Sequence, residues 1–174
     1  KRFGETLVFN YSNIYKFKYV IIRPFNNYGP GMSLNDKRVI PDLMKNVLDN
    51  KDMILFSNGA PKRTFCYIAD SITSYIKAIS KGKNLNAYNI GTSSPEISMK
   101  ALTIRIKNIA KSLYNYNGKC LFKINKDKAY LKDNPLRRKP CLKKTTKHLN
   151  FKSKISLNQG LKNTLIYFNY QKRK

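Results

Sequence analysis

The sequence lacks the residue sets from which disulfide frameworks and zinc sites are built. Its three cysteines, Cys66, Cys120 and Cys141, are an odd number without a Cys-x-x-Cys spacing, and His148 is its single histidine. An odd cysteine count without metal-ligand spacing argues against both kinds of site. We therefore expect no metal site and a reducing, cytoplasmic environment.

Long apolar runs are also absent. No stretch approaches the ~20 consecutive apolar residues that a membrane-spanning helix needs, and no secretory-signal pattern occurs. With 174 residues, of which 41% are hydrophobic, the chain has the size of one domain with a substantial core. We expect no membrane association.

Acidic residues are scarce, because 9 Asp and Glu stand against 35 Lys and Arg, for a net charge of +26. A basic surface attracts phosphate, and nucleic acid is one partner of that kind. However, the excess is mostly lysine spread over the whole chain, and it accompanies many Asn, Ile and Tyr residues, whose codons are also A/T-rich. We therefore favour compositional bias, and nucleic-acid binding remains a disfavoured alternative.

Apolar periodicity predicts helices that alternate with short strands. Helices are predicted over residues 1–16, 38–50, 69–82, within 94–113, and 156–170. Strands are predicted over residues 18–24, 53–56, 63–68, at the start of 87–92, and 120–124. This alternation predicts an α/β fold in which residues 18–24 form a buried parallel strand.

Local signals refine three of the predicted helices. Ser98 is a candidate N-cap for the helix within 94–113, and Gly160 is expected to weaken the middle of the last helix. In the helix over 69–82, one face is shared by Ile72, Tyr75, Ile76 and Ile79.

A glycine-rich turn of the dinucleotide-binding kind is missing from the sequence. Such domains begin with a strand, that turn and a helix, because the pyrophosphate binds at the helix N-terminus. Neither GxGxxG nor GxxGxxG occurs, and the first predicted element is a helix.

Five segments carry a family resemblance. In chain order they are "RPFNNYGPG", "KRVIPD", "GAPKRTFCYIAD", "YNIGT" and "DNPLRRKP". Their order and spacing resemble the extended short-chain dehydrogenase/reductases of the NAD-dependent epimerase/dehydratase family, which act on nucleotide sugars. The chain looks most similar to the branch of UDP-glucuronate decarboxylase and dTDP-glucose 4,6-dehydratase. The opening "KRFGE" resembles the end of the family pattern YxxSKRxxE, so Lys1 matches the lysine of YxxxK.

The resemblance covers essentially all 174 residues and implies the C-terminal half of such an enzyme. The implied fold is a single incomplete domain over 1–174, in which the C-terminal part of a Rossmann-type parallel sheet is interleaved with a smaller nucleotide-sugar-binding lobe. We expect this chain alone to be inactive, to bind NAD weakly, and to expose apolar surface around its first helix and the 18–24 strand. The implied partners are the missing N-terminal half and, in the complete enzyme, a second copy.

The family chemistry gives Lys1 a catalytic and cofactor-binding role. Bound NAD takes a hydride from C4 of the sugar, a tyrosinate removes the hydroxyl proton, and the lysine lowers the tyrosine pKa and holds the nicotinamide ribose. The resemblance places Phe25 and Asn26 near the nicotinamide and the sugar nucleotide, with Asn27 beside them. A plain turn is the alternative for this segment, because Asn, Gly and Pro are turn residues.

Three arginines match family positions for diphosphate and uridine contacts, namely Arg38, Arg63 and Arg138. The resemblance also implies a cofactor-binding role for Arg38. The planar guanidinium fork suits phosphate oxygens. The assignment requires the three to converge on one cleft, and Arg137 is an alternative to Arg138. The resemblance also implies substrate contacts for two tyrosines, Tyr11 and Tyr67, although the sequence pattern alone makes both core aromatics.

The first functional hypothesis is a half of an NAD-dependent UDP-glucuronate decarboxylase-like enzyme, in which C4 oxidation precedes decarboxylation of a UDP-sugar. Alternatives are a nucleotide-sugar epimerase or 4,6-dehydratase of the same family, an inactive truncated remnant, and a basic nucleic-acid-binding module. Cys141 departs from the Asp that often follows RxP in the last motif.

Overall fold

The computed structural model describes residues 1–123 and 135–173. Its helices are α1 (Arg2–Tyr15), α2 (Val39–Leu48), α3 (Ile68–Lys81), α4 (Met99–Tyr114), α5 (Lys143–Leu149) and α6 (Leu157–Arg173). Its strands are β1 (Val20–Pro24), β2 (Asn27–Tyr28), β3 (Met53–Leu55), β4 (Lys62–Arg63), β5 (Cys66–Tyr67), β6 (Asn86–Ile90), β7 (Ile97–Ser98), β8 (Cys120–Phe122) and β9 (Arg137–Arg138). Residue 124 of the predicted 120–124 strand, and residues 133–134 of the "DNPLRRKP" motif, lie outside the described residues.

Within the described residues, the strands form four small sheets. β1 pairs with β6 in parallel over its full length, β2 with β5, and β3 with β8, also in parallel. In the fourth sheet β4 lies between β7, which is antiparallel to it, and β9, which is parallel. The predicted α/β class and the predicted parallel strand within 18–24 are therefore confirmed. The strand is not buried as expected, because the residues of β1 are half-buried or exposed.

The larger of two buried clusters lies in a region that we call the helical lobe, made of α2, β3, α4, β8 and α6. α4 contributes Leu102, Ile106 and Ala110, spaced four residues apart, so one side of the helix is apolar. Four side chains of α6 pack into the same cluster, namely Leu157, Leu161, Leu165 and Phe168. The helical lobe thus has a continuous core of its own.

The smaller cluster belongs to the sheet region, which consists of α1, β1, α3, β6 and α5. Its buried side chains are Ala78, Tyr88, Ile90, Leu149 and Phe151. On α1 the only buried residue is Ser12, and six apolar side chains of this helix are exposed, namely Phe3, Leu7, Phe9, Tyr11, Ile14 and Tyr15. The apolar surface expected around the first helix is therefore present.

On α3 the apolar stripe faces outward. Ile72, Ile76 and Ile79 are exposed, whereas small residues, including Ser71, Ser74 and Ala78, are buried. Small side chains allow a helix to approach a sheet closely, so the helix packs with this face and leaves the isoleucines outside.

Two local predictions are wrong and one is confirmed. Residues 63–68 are not one strand, because β4 and β5 join different sheets and Ile68 begins α3. Gly160 lies in the first turn of α6, not in its middle, and a Cβ there would overlap the hydroxyl group of Tyr28. Ser98 does cap α4, because its hydroxyl accepts a hydrogen bond from the backbone N–H of Ala101 at 3.1 Å.

Two further features concern the expectations of no disulfides and no membrane-spanning helix. Cys66, Cys120 and Cys141 are all free thiols. Over the described ranges, no helix combines the length and the apolar character needed to cross a bilayer.

Candidate functional site

A cavity of about 250 Å³ lies where the loop after β1, the start of α2, β4 and β9 meet. Tyr28, Leu55, Phe65 and Met99 are among its apolar lining residues. Its charged lining residues are Arg38, Arg63 and Arg138, and we call this cavity the arginine cleft. The three arginines that the sequence singled out are therefore brought together, although as many as 100 positions separate them.

Strand pairing decides which of two neighbouring arginines enters the cleft. β4 and β9 run in parallel with Arg63 opposite Arg138 and Lys62 opposite Arg137. Because side chains alternate along a strand, Arg63 and Arg138 share one face of the sheet and Arg137 lies on the other. There Arg137 donates from Nε and Nη2 to the carboxylate of Glu96, at 2.6 and 2.9 Å. Arg138, rather than Arg137, lines the cleft.

Arg63 is the buried member of the three, with 7% of its surface exposed. It donates from Nη1 to the backbone oxygen of Lys62 at 2.7 Å and from Nη2 to that of Pro135 at 2.5 Å. Burial and the neighbouring charge of Arg138 lower the pKa of the Arg63 guanidinium. Two like charges facing each other repel, so an anion between Arg63 and Arg138 would be stabilised.

Arg38 enters the cleft from the N-terminus of α2, where it is the N-cap residue. Its guanidinium donates to Asp36 Oδ2 from Nε at 2.8 Å and from Nη2 at 2.5 Å, and its backbone N–H donates to Asp36 Oδ1 at 2.9 Å. These hydrogen bonds hold the pKa of the Asp36 carboxyl below its usual range. Asp36 thus fixes the orientation of the Arg38 guanidinium at the cleft.

Asn26 and Asn27 shape the loop between the two regions. Asn26 has a left-handed backbone, with φ of 43°, and its Nδ2 donates to the backbone oxygen of Thr64 at 2.9 Å. The side-chain amide of Asn27 is engaged with α3, because Nδ2 donates to Tyr75 Oη at 2.6 Å and Oδ1 accepts from Ser71 Oγ at 2.9 Å. Both residues line the arginine cleft, but their amides are already hydrogen-bonded to neighbouring elements.

Lys1 and Phe25 line a second cavity, of about 530 Å³, between α1 and β1. Glu5 and Arg23 form an ion pair at its edge, in which Arg23 donates from Nε to Glu5 Oε1 at 2.8 Å and from Nη2 to Oε2 at 2.5 Å. Phe25 lines this cavity and the next residue, Asn26, lines the arginine cleft, so the segment after β1 contributes to both. Lys1 therefore stands apart from the three arginines, on the side of the sheet region.

The two predicted tyrosines line neither of these cavities. Tyr11 is 49% exposed on α1, with its ring centroid 5.5 Å from that of Tyr15. Tyr67 packs behind the arginine cleft, with its ring edge-on to Tyr28 at a centroid distance of 5.8 Å.

Asp36 is the feature of the cleft that reading the sequence missed. Its signal was present, because an Asp two residues before the N-cap position of a helix is well suited to accept the backbone N–H of that position. The apolar wall was also missed, since Leu55 and Met99 come from separate elements that only the fold brings beside Tyr28.

Comparisons with known proteins agree with the fold and with the sequence motifs. The model of the NAD dependent epimerase/dehydratase family matches residues 1–91. UDP-glucuronic acid decarboxylase 1 of Arabidopsis thaliana is 29% identical over 161 residues, a match that covers 92% of this chain and 34% of the relative. The dTDP-D-glucose 4,6-dehydratase of Mus musculus is 28% identical over 170 residues, covering 97% and 46%.

Solved structures give the same architecture. The UDP-glucose 4-epimerase of Thermotoga maritima with UDP-glucose has a TM-score of 0.84 at 23% identity, covering 98% of this chain and 52% of that one. The UDP-glucuronic acid 4-epimerase of Bacillus cereus with UDP-glucuronic acid and NAD has a TM-score of 0.80 at 24% identity, covering 97% and 50%. The Rossmann-type fold expected from the sequence is confirmed. The chain spans less than half the length of these curated relatives and about half of these structures.

Proposed function

The chain belongs to the NAD-dependent epimerase/dehydratase family, and we propose that it forms the nucleotide-sugar-binding half of an NAD-dependent nucleotide-sugar-modifying enzyme. Within that family we propose a UDP-glucuronate decarboxylase-like lyase, because several relatives that are 27% or 29% identical carry that activity in their names. The reaction would oxidise C4 of the sugar and then release the carboxyl group as CO₂. A UDP-sugar epimerase or 4,6-dehydratase would use the same cleft, and residues outside this chain would decide among the three.

The convergence of Arg38, Arg63 and Arg138 carries this proposal. A diphosphate placed between Arg63 and Arg138 would relieve their mutual repulsion and accept charge-assisted hydrogen bonds from guanidinium forks. The apolar wall with Tyr28 and Phe65 would pack against the base or the sugar ring. A nucleic-acid surface would instead spread its cations along an exposed face.

We propose that the second cavity takes the nicotinamide end of NAD, which is the cofactor of the family. Val8, Pro24 and Phe25 offer an apolar surface for a flat ring, and Lys1 adds an ammonium group at the same cavity. Bound NAD would supply a hydride acceptor there. We propose that Lys1 holds the nicotinamide ribose and lowers the pKa of a tyrosine that this chain does not contain.

We propose that the complete enzyme adds an N-terminal half beside the sheet region and that it forms a homodimer in the cytoplasm. Within the described part of the chain, β1 pairs with β6 only, so one edge of β1 remains open for another parallel strand. The exposed apolar side chains of α1 supply a second surface for packing. Free thiols at all three cysteines suit a reducing compartment.

The test is a binding measurement with matched arginine variants. Arg138→Gln removes an exposed guanidinium from the cleft, and Arg63→Ala removes the buried one, while Arg105→Ala on α4 removes an arginine outside the cleft. By calorimetry of the 174-residue chain with UDP-glucuronate, the first two should each weaken binding by about 1.5–3 kcal/mol, the scale of a hydrogen bond to a charged group. Arg105→Ala should leave the affinity unchanged.

Circular dichroism of each variant separates a lost contact from a lost fold, which matters most for the buried Arg63. The proposal fails if the unaltered chain shows no saturable binding of UDP-glucuronate, or if both cleft variants bind like the parent. Retained DNA binding that falls steeply with salt in all variants would favour the basic module.

NAD supplies the second arm of the test. Because the 174 residues contain no glycine-rich turn for the pyrophosphate, calorimetry should detect no saturable NAD binding at micromolar concentrations. Tight NAD binding by the isolated chain would contradict the proposal that the cofactor site is shared with another segment. This arm also separates an incomplete enzyme from a self-sufficient one.

A further inference from the structure

Asp36 and Arg38 form a closed unit at the rim of the arginine cleft. One carboxylate oxygen of Asp36 accepts the backbone N–H of Arg38, and the other accepts both Nε and Nη2 of its guanidinium. Asp36 therefore binds one edge of the Arg38 guanidinium, and Arg38 still lines the cleft. An unanchored arginine at this exposed position would sample many rotamers.

The loop that carries Asp36 is itself fixed. The backbone N–H of Asp36 donates to the backbone oxygen of Ser33 at 3.1 Å, and that of Asn35 donates to Ser33 Oγ at 3.2 Å. Lys45 of α2 donates from Nζ to Asn35 Oδ1 at 2.7 Å. These bonds fix the loop that places the Asp36 carboxylate beside Arg38 at the rim of the cleft.

Two consequences follow for a bound anion. The guanidinium has five N–H donors, of which two go to Asp36, so the opposite edge is left to face a ligand in a fixed orientation. The ionised carboxylate also lowers the positive potential at this end of the cleft. The electrostatic attraction between the cleft and a ligand is therefore reduced more for a ligand with more negative charge than for one with less.

We propose that Asp36 is a specificity-determining residue of the arginine cleft, which orients Arg38 and favours a diphosphate diester over a nucleotide with a free terminal phosphate. This inference rests on the proposed nucleotide-sugar function of the cleft. A nucleotide sugar carries about two negative charges on its diphosphate, whereas a free nucleoside diphosphate carries close to one more at neutral pH, since a terminal phosphate loses its second proton near pH ~6. Asp36 would therefore reject the free nucleotide that resembles the substrate.

The experiment compares ligands of increasing charge on matched variants. Asp36→Asn keeps the side-chain shape and the oxygen that accepts the backbone N–H of Arg38. It removes the charge, and it replaces the oxygen that accepts from the Arg38 guanidinium with an NH₂ donor, so both functions proposed for Asp36 are lost together. The control is Asp49→Asn at the other end of α2, where Asp49 caps the helix and pairs with Lys172 Nζ at 2.6 Å, outside the cleft. Affinities of the full 174-residue chain for UDP-glucose, UDP and UTP are measured by calorimetry at low and at high salt.

For Asp36→Asn, the preference for UDP-glucose over UDP should fall by about threefold to tenfold at low salt, the scale of one partly screened charge at the site. The preference for UDP-glucose over UTP should fall by more than the preference over UDP, and both falls should be smaller at high salt. Asp49→Asn should leave both preferences unchanged. Because a merely structural role would weaken all three ligands equally, the ratio of affinities is the decisive readout.

An equal change for all three ligands, or no change, overturns the proposal. If the unaltered chain binds none of them, the proposed function of the cleft fails and this inference falls with it. Thermal melts establish that the variants are folded, and Asp36→Ser, which also removes the charge, should reproduce the change in preference if Asp36→Asn does not fold.

Discussion

The helical lobe and the sheet region have different kinds of interior. The helical lobe buries a continuous apolar cluster between α2, α4 and α6, with strands β3 and β8 at its edge. The sheet region has two paired strands, and its buried cluster is much smaller. Apolar side chains of α1 and α3 that could enlarge this cluster are exposed instead.

The physics of parallel strands explains the difference. A parallel sheet is normally covered on both faces and extended on both edges, because its strands are apolar on both sides. β1 and β6 are in contact with α3, and β6 is also in contact with α5, while α1 buries only Ser12. We interpret the helical lobe as a unit that supplies its own stability, and the sheet region as one that needs further strands.

The largest expected effect comes from the same substitution made in each region. Ile106→Ala on α4 removes a fully buried side chain of the helical lobe, whereas Ile79→Ala on α3 removes one that is 79% exposed. The first should lower the free energy of unfolding by about 2–5 kcal/mol, and the second should stay within about 0.5 kcal/mol. Urea titration of both variants measures the contrast, and equal losses would refute it.

A pair of helical glycines should respond with opposite signs. At Gly160 on α6 an added Cβ overlaps Tyr28, so Gly160→Ala should cost about 1–3 kcal/mol through overpacking. At Gly4 on α1 nothing lies within 4 Å, so Gly4→Ala should be neutral or stabilise by up to about 1 kcal/mol. Thermal melts of the two variants decide the matter, and destabilisation by Gly4→Ala would mean that α1 is packed after all.

Solubility should depend on the sheet region. Phe3→Ser with Ile14→Ser removes two of the exposed apolar side chains of α1, and self-association should decrease because less apolar surface is presented to other chains. The control, Ile166→Ser with Tyr170→Ser, alters exposed side chains of α6 and should change association less. Sedimentation velocity measures both, and a monodisperse parent chain would remove the premise.

The smallest effect should appear in mild acid. His148 on α5 has its Nδ1 3.1 Å from Tyr88 Oη, and burial together with Lys83, Lys144 and Lys147 lowers its pKa. The unfolded chain then binds more protons in the range between the lowered pKa and the ordinary value of about 6.5. Stability is therefore fully present above about pH 6.5 and is lost as pH falls through the lowered pKa.

This loss should be local to the sheet region. Hydrogen exchange at about pH 7.5 and about pH 5.5, after correction for the intrinsic rate, should reveal weaker protection of α5 and β6 in acid and little change in α4. His148→Gln should remove the histidine contribution, and an unchanged acid response in that variant would assign the effect to other groups.

The sequence predicts the positions of motifs and strands better than it predicts how these elements pack against one another. Residues 18–24 were predicted as a parallel strand because a β-branched run ends at Pro24, and β1 is that strand. The break between β4 and β5 was not predictable in the same way, because residues 63–68 have the composition of one continuous strand and only sheet pairing divides them. The outward stripe of α3 was missed for a related reason, since periodicity identifies an apolar face but not what covers it.

The same distinction between local sequence pattern and tertiary packing applies to the candidate site. The sequence by itself determined the α/β class, the family motifs and the identity of Arg38, Arg63 and Arg138, because these depend on local pattern and residue chemistry. Tertiary structure alone decided that Arg138 and not Arg137 lines the cleft, since strand pairing fixes which side chains share a face. It also decided that Asp36 holds Arg38 and that Lys1 lines a separate cavity, because contacts between distant segments depend on how the elements pack in space.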